Sequence, residues 1–196
     1  WHGRLWRAVS QTPGRKGING PWRDAGIVLE PDADSGRWEG SQGTDSIFVY
    51  PAGGRWLGFY GSSNAKDYWS VGLMEALAIG GPWKRLNLRN PVEMSGKLGT
   101  ENPVVTRVGN RYLAVFDTIL RDDAIGWSFS PDGLNWAPAR QLLLRRTPKL
   151  WVRDVRTPLG LIPEGDGRFT LFFTGYDGPQ GKGGYGCLGL VEVRLQ

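Results

Sequence analysis

Short apolar runs closed by glycine turns set the pattern of this chain. Thr44-Asp45-Ser46-Ile47-Phe48-Val49-Tyr50 is followed by a Gly53-Gly54-Arg55 turn and then by Trp56-Leu57-Gly58-Phe59-Tyr60-Gly61. The same succession returns in Glu101-Asn102-Pro103-Val104-Val105-Thr106, Gly109-Asn110-Arg111 and Tyr112-Leu113-Ala114-Val115-Phe116-Asp117. It returns again in Arg156-Thr157-Pro158-Leu159-Gly160-Leu161-Ile162, Gly165-Asp166-Gly167-Arg168 and Phe169-Thr170-Leu171-Phe172-Phe173-Thr174-Gly175. Two apolar runs of strand length around a glycine turn predict a β-hairpin. The leading residues Asp45, Glu101 and Arg156 are 56 and 55 residues apart, a period that marks a repeat architecture.

The stretch after each hairpin repeats as well. Trp69-Ser70-Val71-Gly72-Leu73 leads to Gly81-Pro82-Trp83, and Ile125-Gly126-Trp127-Ser128-Phe129-Ser130 leads to Asp132-Gly133-Leu134-Asn135-Trp136. At the start, Leu5-Trp6-Arg7-Ala8-Val9-Ser10 leads to Gly20-Pro21-Trp22, the same half without its hairpin. The last unit adds one strand, Leu188-Gly189-Leu190-Val191-Glu192-Val193. Only 73–79 and 140–146 lack helix breakers, and both are short for helices. Repeated four-stranded units without long helices predict an all-β protein, a β-propeller. Its boundaries are a half blade over 1–37 and blades over 38–95, 96–148 and 149–196, about three and a half four-stranded blades in all.

Composition agrees with many short strands: 30 Gly, 13 Pro and 10 Trp in 196 residues. Most of the tryptophans are expected to fill the space between blades. The net charge of +5 comes from scattered Arg and Lys with no basic block, which reads as a solvated surface and argues against a nucleic-acid partner. No apolar run reaches the roughly 18 residues of a membrane helix. Cys187 has no second cysteine to pair with and sits in an apolar strand pattern, so a small core residue is expected there. A single histidine, His2, excludes a histidine-based triad or zinc site within the chain. The first residue is Trp1 and no secretory leader precedes it, so a piece of a longer polypeptide is expected.

These blades resemble those of the five-bladed β-propeller glycosidases, the glycoside hydrolase families 43, 32, 68, 117 and 130. Asp45-Ser46 with Gly58-Phe59-Tyr60-Gly61 resembles the second-blade Asp segment of family 43. Glu101-Asn102-Pro103 with Tyr112-Leu113 resembles the segment of families 43 and 32 that supplies the acid Glu. Ser130-Pro131-Asp132-Gly133-Leu134-Asn135-Trp136 resembles a turn frequent in these propellers and, loosely, the Asp-box of sialidases. A sialidase would need several such turns and an Arg triad, and one clear turn is present. The resemblance implies a five-bladed ring, which needs about 275 residues at this period. It also implies a first Asp, the base or nucleophile, one period before Asp45. That position falls upstream of Trp1. The remaining blades are therefore expected from outside this sequence or from another copy of the chain.

In a propeller the first strand of each blade lines the axis, which would bring Asp45 and Glu101 into one pocket. Glycosidic cleavage uses two carboxyl groups, one to protonate the leaving oxygen and one as base or nucleophile. The resemblance makes Glu101 the general acid and Asp45 the carboxylate that orients it and tunes its pKa. Each can instead cap a strand end. Arg156 stands in the register of the two acids, able to bind an oxyanion or to neutralise Glu101. Asp154 is a pocket carboxylate or a salt-bridge partner of Arg153 or Arg156. Trp38, Trp69, Trp127 and Trp151 are candidates to stack on a sugar, Trp69 and Trp127 foremost, against a default of core packing. Asp132 reads as a structural turn residue. No cofactor is expected, although the resemblance admits a calcium ion on the axis. The expected function is cleavage or transfer at a glycosidic bond of a carbohydrate, with export from the cell implied by the resemblance. The alternative is a non-catalytic propeller that binds carbohydrate or protein.

Overall fold

The computed structural model describes residues 3–31, 38–40, 43–63, 69–94, 99–118, 125–142, 152, 154–178 and 186–195. Their strands form separate antiparallel sheets that follow the sequence repeat. The first sheet pairs β1 (Leu5–Ser10) with β2 (Trp22–Leu29). The second is a four-stranded meander of β3 (Asp45–Ala52), β4 (Arg55–Ser62), β5 (Ser70–Ala76) and β6 (Lys84–Arg85). The third repeats it with β7 (Glu101–Val108), β8 (Arg111–Asp117), β9 (Ile125–Ser130) and β10 (Arg140–Leu142). The last consists, among the described residues, of β11 (Asp154–Gly165), β12 (Arg168–Tyr176) and β13 (Gly186–Arg194). This is a partial β-propeller that opens on a two-stranded sheet. No helix among the described residues is long and apolar enough to cross a membrane.

The core lies between blades rather than within them. Leu29, Tyr60 and Met74 join the first sheet to the second. Phe59, Leu57 and Leu73 meet Val105, Ala114 and Phe116 between the second and third. Val104, Leu113 and Ile125 meet Leu161, Phe169 and Leu171 between the third and the last. Each strand therefore shows one face to each neighbouring blade, and its alternate residues are buried on opposite sides.

Two glycines show how tightly the second and third strands of a blade are matched. Gly72 pairs with Tyr60 and Gly126 with Phe116, and a Cβ at either position would come within 2.6 Å or 2.4 Å of the ring opposite. The aromatic fills the space that the glycine leaves. Gly126→Ala is expected to cost about 1–3 kcal/mol, because Phe116 is fully buried and has no room to retreat. A urea unfolding midpoint equal to wild type would show that the ring can shift.

The first sheet is tied to the second blade by a buried ion pair. Arg85 donates from Nε to Glu39 Oε1 (2.9 Å) and from Nη2 to Glu39 Oε2 (2.8 Å), and Nη2 also reaches the Glu30 carbonyl at the end of the first sheet. Glu39 Oε1 accepts the Tyr60 hydroxyl too, and Asn90 Nδ2 donates to the Tyr60 oxygen. Burial, and next the Glu39 carboxylate, push the Tyr60 hydroxyl far above its ordinary range.

The two end sheets depart from the sequence expectation. Trp6, Trp22 and Ile27 share the outward face of the first sheet and are exposed, Trp6 by 59%. Ile162, Phe172, Leu188 and Leu190 do the same on the last. Cys187 is also exposed rather than a core residue: it shares the face of Val191 and Val193, but it stands near the start of β13 opposite Gly175, outside the buried cluster that those valines join. Trp6 and Trp22 likewise do not fill a gap between blades, since no described sheet covers that face.

Candidate active site

The heads of the three inner strands meet, and each carries the same irregularity. Asp45 pairs with Gly61, Glu101 with Asp117 and Val155 with Gly175, and in every case the ladder slips at the next step. The slips leave Ser46, Asn102 and Thr157 out of the regular pairing, as β-bulges that re-aim side chains beside sites. Ser46 and Asn102 both take left-handed backbone, with φ of 42° and 48°. Such backbone is unusual for residues with a side chain and persists only where its surroundings hold it.

What holds it is a chain of hydrogen bonds across three blades. Ser46 N–H donates to Asp45 Oδ1 (2.6 Å), and Ser46 Oγ donates to Asn102 Oδ1 (2.6 Å). Asn102 Nδ2 in turn donates to Asp117 Oδ2 (3.2 Å), which also accepts Thr157 Oγ1 (3.0 Å). These bulge residues rim a cavity of about 230 Å³ whose wall includes Phe48, Val104 and Leu159, bounded by all three inner strands.

Glu101 stands at this junction, partly buried. Its carboxyl is pushed up to about 7, first by burial and then by the charges of Asp117 and Asp45, while Arg156 works in the opposite direction. Asp117 is 4% exposed and is also held above the ordinary carboxylate range by burial, with Asn102, Thr157 and Arg156 pulling the other way. The heads of β3, β7 and β11 are thus within electrostatic reach of one another. Arg156 does not close on Glu101: among the described residues there is no ion pair between them within 4.0 Å. A glutamate raised to about 7, beside two further carboxyl groups and an arginine, can hold and release a proton near neutral pH.

The other candidates fall at different distances from this junction. Trp69 precedes β5, is half-buried, and its carbonyl accepts the N–H of Thr100, the residue before Glu101. Trp127 lies two strands outward on β9, opposite Val115, in edge contact with Phe129 and beneath the Arg140 guanidinium. It packs with the cluster between the third and last blades rather than at the strand heads. Trp38 packs on Tyr60. Asp154 opens β11 opposite Tyr176; its side chain, Trp151 and Arg153 lie outside the described residues. Asp132 accepts the N–H groups of Leu134 and Asn135 and the side chains of Asn135 and Ser130, and these bonds outweigh burial and lower it to about 2. That is the structural turn its sequence predicts.

Asp117 was not singled out by its chemistry, yet the repeat marks it. It occupies the position of Gly61 in the second blade, a carboxylate where that blade has glycine. Among the described residues no group of three or more His, Cys, Asp or Glu side chains is placed to hold a metal ion.

No protein-family model and no curated protein matches the sequence. Solved structures match the course of the chain. An endo-arabinase from Bacteroides thetaiotaomicron has a TM-score of 0.65 over 98% of this chain and 76% of its own, at 14% identity. A GH43_1 enzyme from Xanthomonas citri, solved with xylose, has 0.65 over 95% and 61%, at 14% identity. A thermostable family-43 glycoside hydrolase has 0.60 over 79% and 52%, at 15% identity. The chain shares the β-propeller fold of glycoside hydrolases. It spans about half the length of the thermostable enzyme and about three quarters of the arabinase. At these identities the likeness concerns the fold, and chemistry has to be argued from the site.

Proposed function

We propose that this propeller cleaves or transfers glycosidic bonds, with Glu101 as the general acid. The observation that carries this reading is a half-buried glutamate raised to about 7, with Asp117 and Asp45 pressing on it at the axial end of an inner strand. An acid of that strength is protonated often enough at neutral pH to give its proton to a departing sugar oxygen. Asp45, held by the Ser46 N–H, faces Glu101 as a fixed negative charge that keeps the acid's proton on and orients it. Arg156, with Asp154 and Trp69 nearby in sequence or backbone, supplies substrate contacts. The second catalytic carboxylate, base or nucleophile, comes from a further blade, as the two outward apolar faces support: a sheet with Trp6 and Trp22 exposed at one end and Leu188 and Leu190 at the other is built to be covered.

The fold neighbours suggest the first substrates to try, since their names include an arabinase and a xylose complex. The test is the full-length protein and its Glu101→Gln variant on arabinan, xylan and aryl arabinosides and xylosides. On glycosides with alkyl or sugar leaving groups the variant should lose about 10²–10⁴ in rate. On dinitrophenyl glycosides, which leave without a proton, most of the rate should survive. Equal loss on both classes sinks the acid role. A wild type that binds these sugars and turns over none points to the binding propeller instead.

A further inference from the structure

We propose that Asp117 is the positioning residue of this site: its carboxylate ties the bulge behind Glu101 to the bulge behind Arg156 and so sets where both side chains stand. The inference rests on the reading of Glu101 as the acid. Asn102 immediately follows Glu101, and Thr157 immediately follows Arg156. Both donate to the same oxygen, Asp117 Oδ2, from two different blades. A single buried atom therefore couples the two inner strands at the residues that carry the candidate chemistry. Asn102 is held in left-handed backbone between this bond and the one from Ser46, so the direction in which Glu101 leaves the strand depends on the tie.

The repeat supports a dedicated role. The second blade builds the same hairpin with Gly61 at this position, so the fold does not require a side chain there. A buried carboxylate costs stability unless something is gained from it. Here the gain is geometric and electrostatic. Asp117 faces Glu101 directly across the ladder and is the strongest of the neighbouring charges acting on it. The other charged groups in reach among the described residues are Asp45 from β3 and Arg156 from β11. Arg156 lowers both carboxyls, so the balance between it and Asp117 decides how readily Glu101 keeps its proton.

Asp117→Asn separates the two effects, because an amide oxygen can accept both bonds while the charge is gone. The carboxyl carbon of Glu101, followed by ¹³C NMR through a pH titration, is expected to show a midpoint near 7 in the wild type. In Asp117→Asn it should fall but stay above 4.5, since burial, the larger cause, is unchanged. The basic limb of the kcat/KM profile on an active aryl glycoside should move the same way. Thr157→Val keeps the charge and cuts one tie. Its kcat should fall several-fold, with the limb nearer to wild type than in Asp117→Asn. An unchanged kcat in Thr157→Val overturns the positioning role. An unmoved Glu101 midpoint in Asp117→Asn overturns the electrostatic part of it. A wild-type midpoint near 4.5 would instead remove the acid reading itself, a separate outcome.

Discussion

Glu39→Ala is expected to destabilise the protein by about 3–5 kcal/mol, the cost of leaving one member of a buried ion pair without its partner. Glu39 is 3% exposed and accepts two bonds from one edge of the Arg85 guanidinium and one from Tyr60. Its removal strands a charge and a buried hydroxyl together, and water does not reach either easily. The loss should be uneven. Arg85 also holds the Glu30 carbonyl, so the first sheet should come loose from the second blade before the rest unfolds. Hydrogen exchange in β1 and β2 compared with β7 and β8 reads this directly. The double variant Glu39→Leu with Arg85→Met, which removes both charges, should recover much of the loss. A single variant within 1 kcal/mol of wild type would mean that the pair is solvated in solution.

Glu101→Gln is expected to make the protein more stable, and only at higher pH. The Glu101 carboxyl is raised from 4.5 to about 7 in the folded protein, so the folded state holds its proton over a range in which the unfolded state has released it. Stability linked to this group is therefore fully present below about 4.5 and is lost as pH rises through about 7. Above that, the wild type carries a partly buried charge and glutamine does not. The two-and-a-half-unit gap sets an upper limit of roughly 3 kcal/mol, and screening by the solvent that reaches a half-buried group reduces it to about 1–2 kcal/mol. Urea midpoints of the two proteins should differ more at pH 8 than at pH 4.5. A difference that does not change with pH would mean that Glu101 titrates as an ordinary carboxylate. Gains in stability on neutralising a strained carboxyl are what a site kept for chemistry predicts.

The blades were legible because their signals are local and repeated. Hairpins with glycine turns, a period of 55–56 residues and aromatic strands are each visible without knowing what packs on what. The approach of Asp45 to Glu101 was legible from register, since equivalent strand heads in a propeller face one axis; in the last blade that ladder position is held by Val155, and Arg156 follows it in the bulge. Asp117 shows where such reasoning stops. It ends an outer neighbour of the inner strand, and only the pairing of Glu101 with it reveals that its carboxylate turns back under the bulges. The signal was a departure from the repeat, a feature that an argument built on likeness between blades passes over. Glu39 was hidden for another reason: its partner Arg85 is 46 residues away, in the shortest strand of its sheet. Trp6, Trp22 and Cys187 were misjudged because an apolar pattern says that a residue wants cover and not whether cover is supplied.

The exposed stripes on the two end sheets have a consequence for handling. They are different surfaces, tryptophan-rich on one side and leucine-rich on the other, so contact between copies would be head to tail rather than two-fold. Contacts of that kind continue from copy to copy unless a rotation closes them into a ring. Wherever further blades do not cover these faces, the protein should therefore grow into open chains as its concentration rises, instead of stopping at a dimer.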